Sequence, residues 1–503
     1  MLSLTKEQRK AVSMANRMES FKVSALAGTG KTTTLAAIAK DLGKKRGLYL
    51  SFNRAIAAEA QTKFDGSGCQ ARTFHSLAFA GFGKKYGVRL KKRLNASYIR
   101  TRFGITGDYS YAVGEMALGT LFRFLRTADQ EIAKDHVPWN DGCKAIFLER
   151  RELMVKFAAC GDDQSEKAEI NQRLAENEQN CKVCYKIRDL GIEIAKQVLL
   201  EMRNPSSDFP VTHDLYLREF VLSSPNLGRA GFQYILFDEA QDADGLMLLL
   251  TTRQSIPIFY VGDAFQQIYG WRGAQNAMAS LDLPETPLTM SFRFGQAIAD
   301  DANQVLRSLG AKHFLEGRPD LRSQVITGES ETGGRATIVR TNAEVIAHTI
   351  GGVNGDRRVG VSGKAGIRSF LKDYQKLADG QPSGQFALFK SEQELRDHAD
   401  TDEGRDLKML MRLVDDYGVY GLTSIMESTV DLDDDKDAWK SCDRIVITAH
   451  KSKGMEFDTV SLSEGLFNPK HLENDEEKRL LYVAKTRAMN TLVQPVDFSR
   501  IHG

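Results

Sequence analysis

Short runs of aliphatic, β-branched and aromatic residues recur at 21–25, 48–52, 234–237, 257–261, 336–340, 444–449 and 459–462, each closed by Gly, Asp or Thr. Runs that are apolar on both faces predict buried strands of parallel sheets. Helix-patterned stretches follow them, as at 31–42 and 53–63. Strands alternating with helices predict an α/β fold with parallel sheets. The strands fall into two clusters, one before about residue 285 and one after about residue 335. Two segments break the alternation. Residues 86–205 are long, charged and helix-patterned, which predicts a helical insertion into the first α/β unit. Residues 346–440 carry Gly-rich breaks, "GGVNGDRR" and "GQPSG", and an acidic run, "DLDDDKD", read as a solvated loop.

Length and composition narrow the class. A chain of 503 residues exceeds what one core usually supports, and 42% hydrophobic with 27% charged residues is a globular composition. The net charge of +2 predicts no polyanionic partner by itself. Its distribution says more: residues 66–107 hold no acid but nine bases, Arg72, Lys84, Lys85, Arg89, Lys91, Lys92, Arg93, Arg100 and Arg102. Such a stretch suits phosphates or a solvated face. The start, MLSLTKEQRK, has no apolar signal core, and no run approaches the ~20 apolar residues of a membrane span. A cytoplasmic setting without disulfides is therefore expected. Cys69 and Cys442 stand alone, whereas Cys143, Cys160, Cys181 and Cys184 share a region. A zinc or iron–sulfur site is the alternative there, but the irregular spacing favours free thiols.

The chemistry begins at "SALAGTGKTTTLAAIAK", residues 24–40. A buried strand runs into Gly28, Thr29 and Gly30, and a helix opens at Lys31. Small residues let backbone N–H groups converge on an anion, and the helix N-terminus adds partial positive charge. Lys31 can reach β- and γ-phosphates, and the Thr32 hydroxyl can ligate magnesium. The second element is "YILFDEAQD", residues 234–242, an apolar strand ending in two carboxylates. Asp238 at the strand tip can hold magnesium opposite Thr32, and Glu239 can polarise an attacking water.

These motifs, with Ala25 where the common phosphate loop has glycine, resemble the superfamily 1 helicases of the UvrD/Rep type, whose loop is written Ala-x-Ala-Gly-Thr/Ser-Gly-Lys-Thr. The other family motifs follow in order: "LTKEQRKAV", "LYLSFNRAIAAEA", "ARTFHSLA", "VGDAFQQIYGWRGA", "LTMSFRF", "VITAHKSKGMEFD" and "EEKRLLYVAKTRA". "TFHSLAF", "VTHDLYLREF" and "FDEAQD" are closest to the helicase core of F-box DNA helicases and their bacterial relatives. No F-box is seen ahead of the motifs, so ubiquitin-ligase functions are not expected to carry over.

The resemblance implies two RecA-like P-loop domains, each with an inserted and mainly helical subdomain. The expected boundaries are 1–85 with 206–285 and insertion 86–205, then 286–345 with 441–503 and insertion 346–440. It implies ATP and magnesium, with Ala27, Gly28, Thr29, Gly30, Lys31, Thr32 and Thr33 around the phosphates. Gln8 would read adenine, Phe292 stack on it and Glu456 accept from the ribose. Gln266 would sense the γ-phosphate, and Arg293 and Arg487 would approach it from the second domain. Their permanently charged forks suit developing phosphoryl charge. Phe52, Tyr269 and Trp271 would stack bases, with Asn53, Thr73, His75, Arg340 and His450 along the DNA backbone. The implied activity is 3′→5′ movement on single-stranded DNA with unwinding of forked duplex, by a monomer. Two alternatives share the motor: a translocase that strips proteins from single strands, and an ATPase subunit of a DNA-sensing complex with a protein partner of unknown identity.

Overall fold

The computed structural model describes residues 4–52, 54–107, 109–139, 141–161, 163–270, 273–328, 335–355, 357–381, 384–386, 389, 391–399, 405–433 and 438–502. Asn53 and Trp271, both expected to meet DNA, lie outside the described residues.

The strands of the first half are β1 (Phe21–Ala25), β2 (Gly47–Ser51), β3 (Cys69–Thr73), β4 (Tyr234–Phe237), β5 (Ile258–Gly262) and β6 (Glu285–Leu288). They form one parallel sheet in the order β3-β2-β4-β5-β1-β6. Its central strands β2, β4 and β5 are buried at every position, as an all-parallel sheet covered on both faces requires. A two-stranded ribbon follows, β7 (Met290–Ser291) with β8 (Glu316–Gly317). The second large sheet holds β9 (Gln324–Thr327), β10 (Ala336–Val339), β11 (Val359–Val361), β12 (Val430–Asp431), β13 (Arg444–Thr448), β14 (Phe457–Leu462) and β15 (Ala488–Gln494). Its order is β12-β11-β13-β10-β14-β15-β9, again parallel throughout. The architecture is two parallel α/β sheets, the RecA-like pair of the expected fold class.

The chain clusters into two compact units. Residues 1–82, 216–364 and 424–503 make the first, which holds both large sheets. Each sheet has its own core, but Leu26, Ala27 and Ile268 beside the first sheet pack into the core of the second. Residues 83–215 and 365–423 make the second unit, which is helical. Its longest helix, Gln164–Arg203, has 40 residues and is capped by the Asp163 carboxylate, which accepts from Ser165 and Glu166 N–H. At a rise of ~1.5 Å per residue it spans about 60 Å.

Several boundaries differ from the sequence expectation. The 285/286 division falls inside β6, because β6 closes the first sheet beside β1. β11 and β12 belong to the second sheet although they lie within 346–440, because their backbones pair with β13 and with each other. The basic stretch is only partly available for phosphates. Arg89 is buried, and its guanidinium donates to the carbonyls of Glu201, Met202, Asn204 and Phe209, closing the end of the long helix. Lys92 pairs with Asp208 and Arg102 with Glu201.

Candidate active site

The phosphate loop joins β1 to helix α2 (Lys31–Asp41). Gly28 and Gly30 have φ of 74° and 79°, a region open to glycine and strained for other residues. Space adds a second constraint. A methyl group on Gly28 would stand 2.5 Å from Ser291 Oγ and 2.9 Å from Arg293 Cβ. On Gly30 it would stand 3.0 Å from Gln8 Nε2 and 3.6 Å from the Phe292 ring. Gln8, Gly30 and Phe292 are thus brought together, and so are Gly28 and Arg293. The Phe292 N–H donates to the Gly28 carbonyl at 2.8 Å, fixing the segment after β7 against the loop. Gln8 sits in helix α1 (Lys6–Ala15), where its Oε1 accepts the Thr5 N–H in a capping box, leaving Nε2 toward the loop. Thr29 turns its hydroxyl back onto the Leu26 carbonyl, and Thr33 is exposed in the first turn of α2.

Opposite the loop, β4 and β5 deliver carboxylates from their C-terminal ends, where open parallel sheets place ligands. Lys31 Nζ lies 3.1 Å from each Glu239 oxygen. The Thr32 hydroxyl is 3.5 Å from Asp238 Oδ2, which also accepts the Tyr49 hydroxyl at 2.7 Å. Glu239 has φ of 55°, a left-handed conformation rare outside glycine and concentrated at functional sites.

The electrostatics divide the two acids. Burial opposes the charge on Glu239, but Lys31 and Lys453 outweigh it and hold the carboxyl down at about 2. Burial, then repulsion from Glu239, pushes Asp238 up to about 6. Burial also opposes the charge on Lys31, yet Glu239, Asp263 and Asp238 together raise it. Glu239 is therefore ionised beside a charged Lys31.

The arginines come from the far side of the same unit. Arg293 Nη1 donates to the Thr486 carbonyl at 2.7 Å, and Nη2 meets Glu456 at 2.5 Å. Its buried Nε has no hydrogen-bond partner among the described residues. Arg487 is 2% exposed; its guanidinium donates to the carbonyls of Val483 and Met455 and to the Thr486 hydroxyl. No carboxylate faces it at bonding distance among these partners, and burial with the nearby Arg293 charge pushes it down to about 9. Gln266 is buried and donates through Nε2 to Asp263 at 2.8 Å.

The residues expected along DNA divide. Tyr269 and His450 are brought together: the tyrosine hydroxyl donates to the His450 carbonyl at 3.2 Å, with ring centroids 6.5 Å apart. Phe52 packs in an aromatic cluster with Phe74 and Phe237. Thr73 is buried, and its hydroxyl caps the helix Phe74–Ala78 by accepting the Ser76 N–H. His75 meets the Tyr216 ring edge-on at 6.1 Å. Arg340 forms a two-pronged pair with Glu477, at 2.9 and 3.1 Å.

The structure adds residues that the sequence reading passed over. Lys453 Nζ reaches the Asp242 carboxylate at 2.6 Å and the Gln266 carbonyl at 2.7 Å, 5.1 Å from the Tyr269 ring centre. Tyr482 bonds to both Ala27 and Asp263. Both residues stand inside quoted motifs, "HKSKGMEFD" and "LLYVAKTRA", which was the only signal available. Among the cysteines, all six are free, and Cys143 shares a hydrogen bond with Cys184. Among the described residues no group of three or more His, Cys, Asp or Glu could hold a metal ion.

A glycine-rich strand-to-helix loop facing carboxylates at the ends of neighbouring parallel strands has the form of a P-loop fold, with Arg293 held beside the loop and Arg487 just before β15. The chain belongs to the UvrD/REP helicase family: residues 4–283 match its N-terminal domain and 341–494 the UvrD-like helicase C-terminal domain. It is 27% identical to F-box DNA helicase 1 of Gallus gallus over 98% of this chain and 49% of that protein. It is 28% identical to F-box DNA helicase protein 1 of Schizosaccharomyces pombe, over 97% and 57% respectively. A probable DNA helicase of Mycoplasma pneumoniae is 25% identical over 97% of this chain and 82% of its own length. The chain thus spans about half the length of the two F-box relatives. No helix among the described residues is long and apolar enough to cross a membrane.

Proposed function

We propose that this protein is an ATP-driven DNA helicase and translocase that moves 3′→5′ on single-stranded DNA. Its work would be opening forked duplex in repair, recombination or defence, in the cytoplasm and as a monomer. The observation that carries the reading is the Lys31–Glu239 pair, 3.1 Å at both oxygens, beside Thr32 and Asp238 in a pocket rimmed by Arg293. In this reading the triphosphate takes Glu239's place on Lys31. Glu239 is then released as a charged base able to accept a proton from water. The Nε of Arg293 is a buried donor with no acceptor among the described residues, which fits the γ-phosphate role.

Thr32 and Asp238 would hold the magnesium ion, and their hydroxyl and carboxylate are the hard oxygen donors it takes. Bound there, magnesium would neutralise phosphate charge. Gln8 and Phe292 would face the base, while Glu456 would leave Arg293 for the ribose. Gln266 and Arg487 would line the γ-phosphate. Because Arg293 and Arg487 follow the first sheet in the chain, nucleotide would draw the two sheets together and hydrolysis would relax them. Phe52, Tyr269, His75, Thr73, His450 and Arg340 would lie along the strand, Arg340 by exchanging Glu477 for a phosphate.

Lys31→Ala and Glu239→Gln are each expected to lower DNA-stimulated ATP turnover at least about 100-fold, the scale of lost electrostatic or acid–base assistance. Purified protein in a phosphate-release assay measures this. Wild-type turnover in either variant would sink the assignment.

A further inference from the structure

Tyr482 does something that no expected role covers. It lies on the helix Asp475–Lys485 that leads into Arg487, and it is wholly buried. Its hydroxyl accepts the Ala27 N–H of the phosphate loop at 3.1 Å and donates to Asp263 Oδ2 at 3.3 Å. Both capacities of a phenolic hydroxyl are thereby used, one on each side. Asp263, itself 1% exposed, takes Gln266 Nε2 on the same oxygen at 2.8 Å and the Phe265 N–H on Oδ1 at 3.0 Å. The backbone carbonyl of Tyr482 accepts from the Thr486 N–H and hydroxyl, as the helix ends. Thr486 in turn accepts Arg487 Nη2 at 3.2 Å, and its carbonyl accepts Arg293 Nη1 at 2.7 Å.

We infer that Tyr482 is a positioning residue whose hydroxyl sets the phosphate loop and Gln266 in register with one another, on the helix that leads into Thr486 and Arg487. The inference rests on reading this pocket as the ATP site. Beside the Phe292 N–H bond to the Gly28 carbonyl, which ties the loop to the Arg293 segment, the tyrosine hydroxyl ties the loop to Asp263 and through it to Gln266. The Ala27 amide, two residues past the end of β1, is taken up by the tyrosine hydroxyl. A change at the γ-phosphate that moves Gln266 pulls on Asp263, then on the hydroxyl, then on the loop. Buried chains of this kind hold geometry sharply, since each member left unpaired is costly. Tyr482 touches none of the reacting groups among its bonded partners, so its effect is on placement.

The test compares Tyr482→Phe, Asp263→Asn and the double variant in the full chain. Tyr482→Phe is expected to lower kcat of DNA-stimulated hydrolysis about tenfold, the worth of one buried hydrogen bond, with KM for ATP changed less than about twofold. The double variant is expected to be no slower than Asp263→Asn alone, because both cut one chain. Without nucleotide, the Ala27 amide should exchange with solvent faster in Tyr482→Phe than in the wild type. A wild-type kcat with only a lowered Tm would make the hydroxyl a mere fold contact, and multiplicative losses would break the chain; either overturns the inference. Unimpaired Lys31→Ala would instead refute the site reading, and amide exchange, which needs no turnover, would still decide on Tyr482.

Discussion

Gly28 shows how one residue is fixed twice over. Its φ of 74° excludes most side chains, and the ideal Cβ position is already crowded by Ser291 Oγ and Arg293 Cβ. The second constraint matters for function, because relief from the clash would push Arg293 away from the loop. Gly28→Ala is therefore expected to destabilise the protein by ~1–3 kcal/mol, the usual cost of a strained backbone position. It should also raise KM for ATP and lower kcat together. Thermal melts beside steady-state kinetics measure both, and an alanine variant with unchanged kinetics would show that the segment after β7 adjusts freely. At this scale the sequence was legible wherever local geometry makes the chemistry. A Gly-Thr-Gly-Lys-Thr turn between strand and helix displays its anion preference in five residues. Lys453 and Tyr482 were not legible, because their partners lie 187 to 455 residues away and nothing local marks a lysine or tyrosine as a cross-link.

The elements repeat that contrast. β2, β4 and β5 are buried at every position, and each appears in the sequence as an apolar run, broken in β2 only by Ser51 at its end. β3 and β9 escaped notice as strands because their burial is broken, with exposed or half-exposed positions dominating "CQART" and "QVIT". Edge strands need only one covered face, so their sequences lose the signal. Polar contacts between elements are equally silent. Lys485 and Asp301 meet at 2.6 Å between the helices Asp475–Lys485 and Gln296–Ser308, both buried, with Gln494 of β15 bonded to each. Burial lowers the lysine against the pull of Asp301. Asp301→Ala leaves a buried ammonium without its carboxylate and is expected to cost ~3–5 kcal/mol. Asp301→Asn, which keeps one acceptor oxygen for Lys485 but loses the bond from Gln494, should cost less. Urea midpoints rank the two, and equal loss from both would mean that shape rather than charge holds these helices.

At the scale of the whole molecule, the question is how a chain of net charge +2 would be driven by a polyanion. The basic stretch does not answer it unaided, since Arg89 closes a helix and Lys92 and Arg102 have acidic partners. Arg340 is likewise held by Glu477, so a phosphate would have to displace an existing partner. The reading as a DNA motor accordingly predicts few uncompensated contacts and a moderate salt response. Hydrolysis measured with and without single-stranded DNA should show strong stimulation that fades as salt rises from about 50 to about 200 mM, with a log–log slope for DNA affinity of roughly −0.7 per phosphate contacted. Basal hydrolysis should stay nearly flat over the same range, because Asp238 is buried and Lys31 and Glu239 are mostly covered and paired at 3.1 Å, so the cluster is little screened. Stimulation with this profile makes translocation polarity the next measurement. Slow hydrolysis that DNA does not stimulate at any salt would contradict the autonomous motor and transfer the favoured reading to an ATPase subunit that needs its partner.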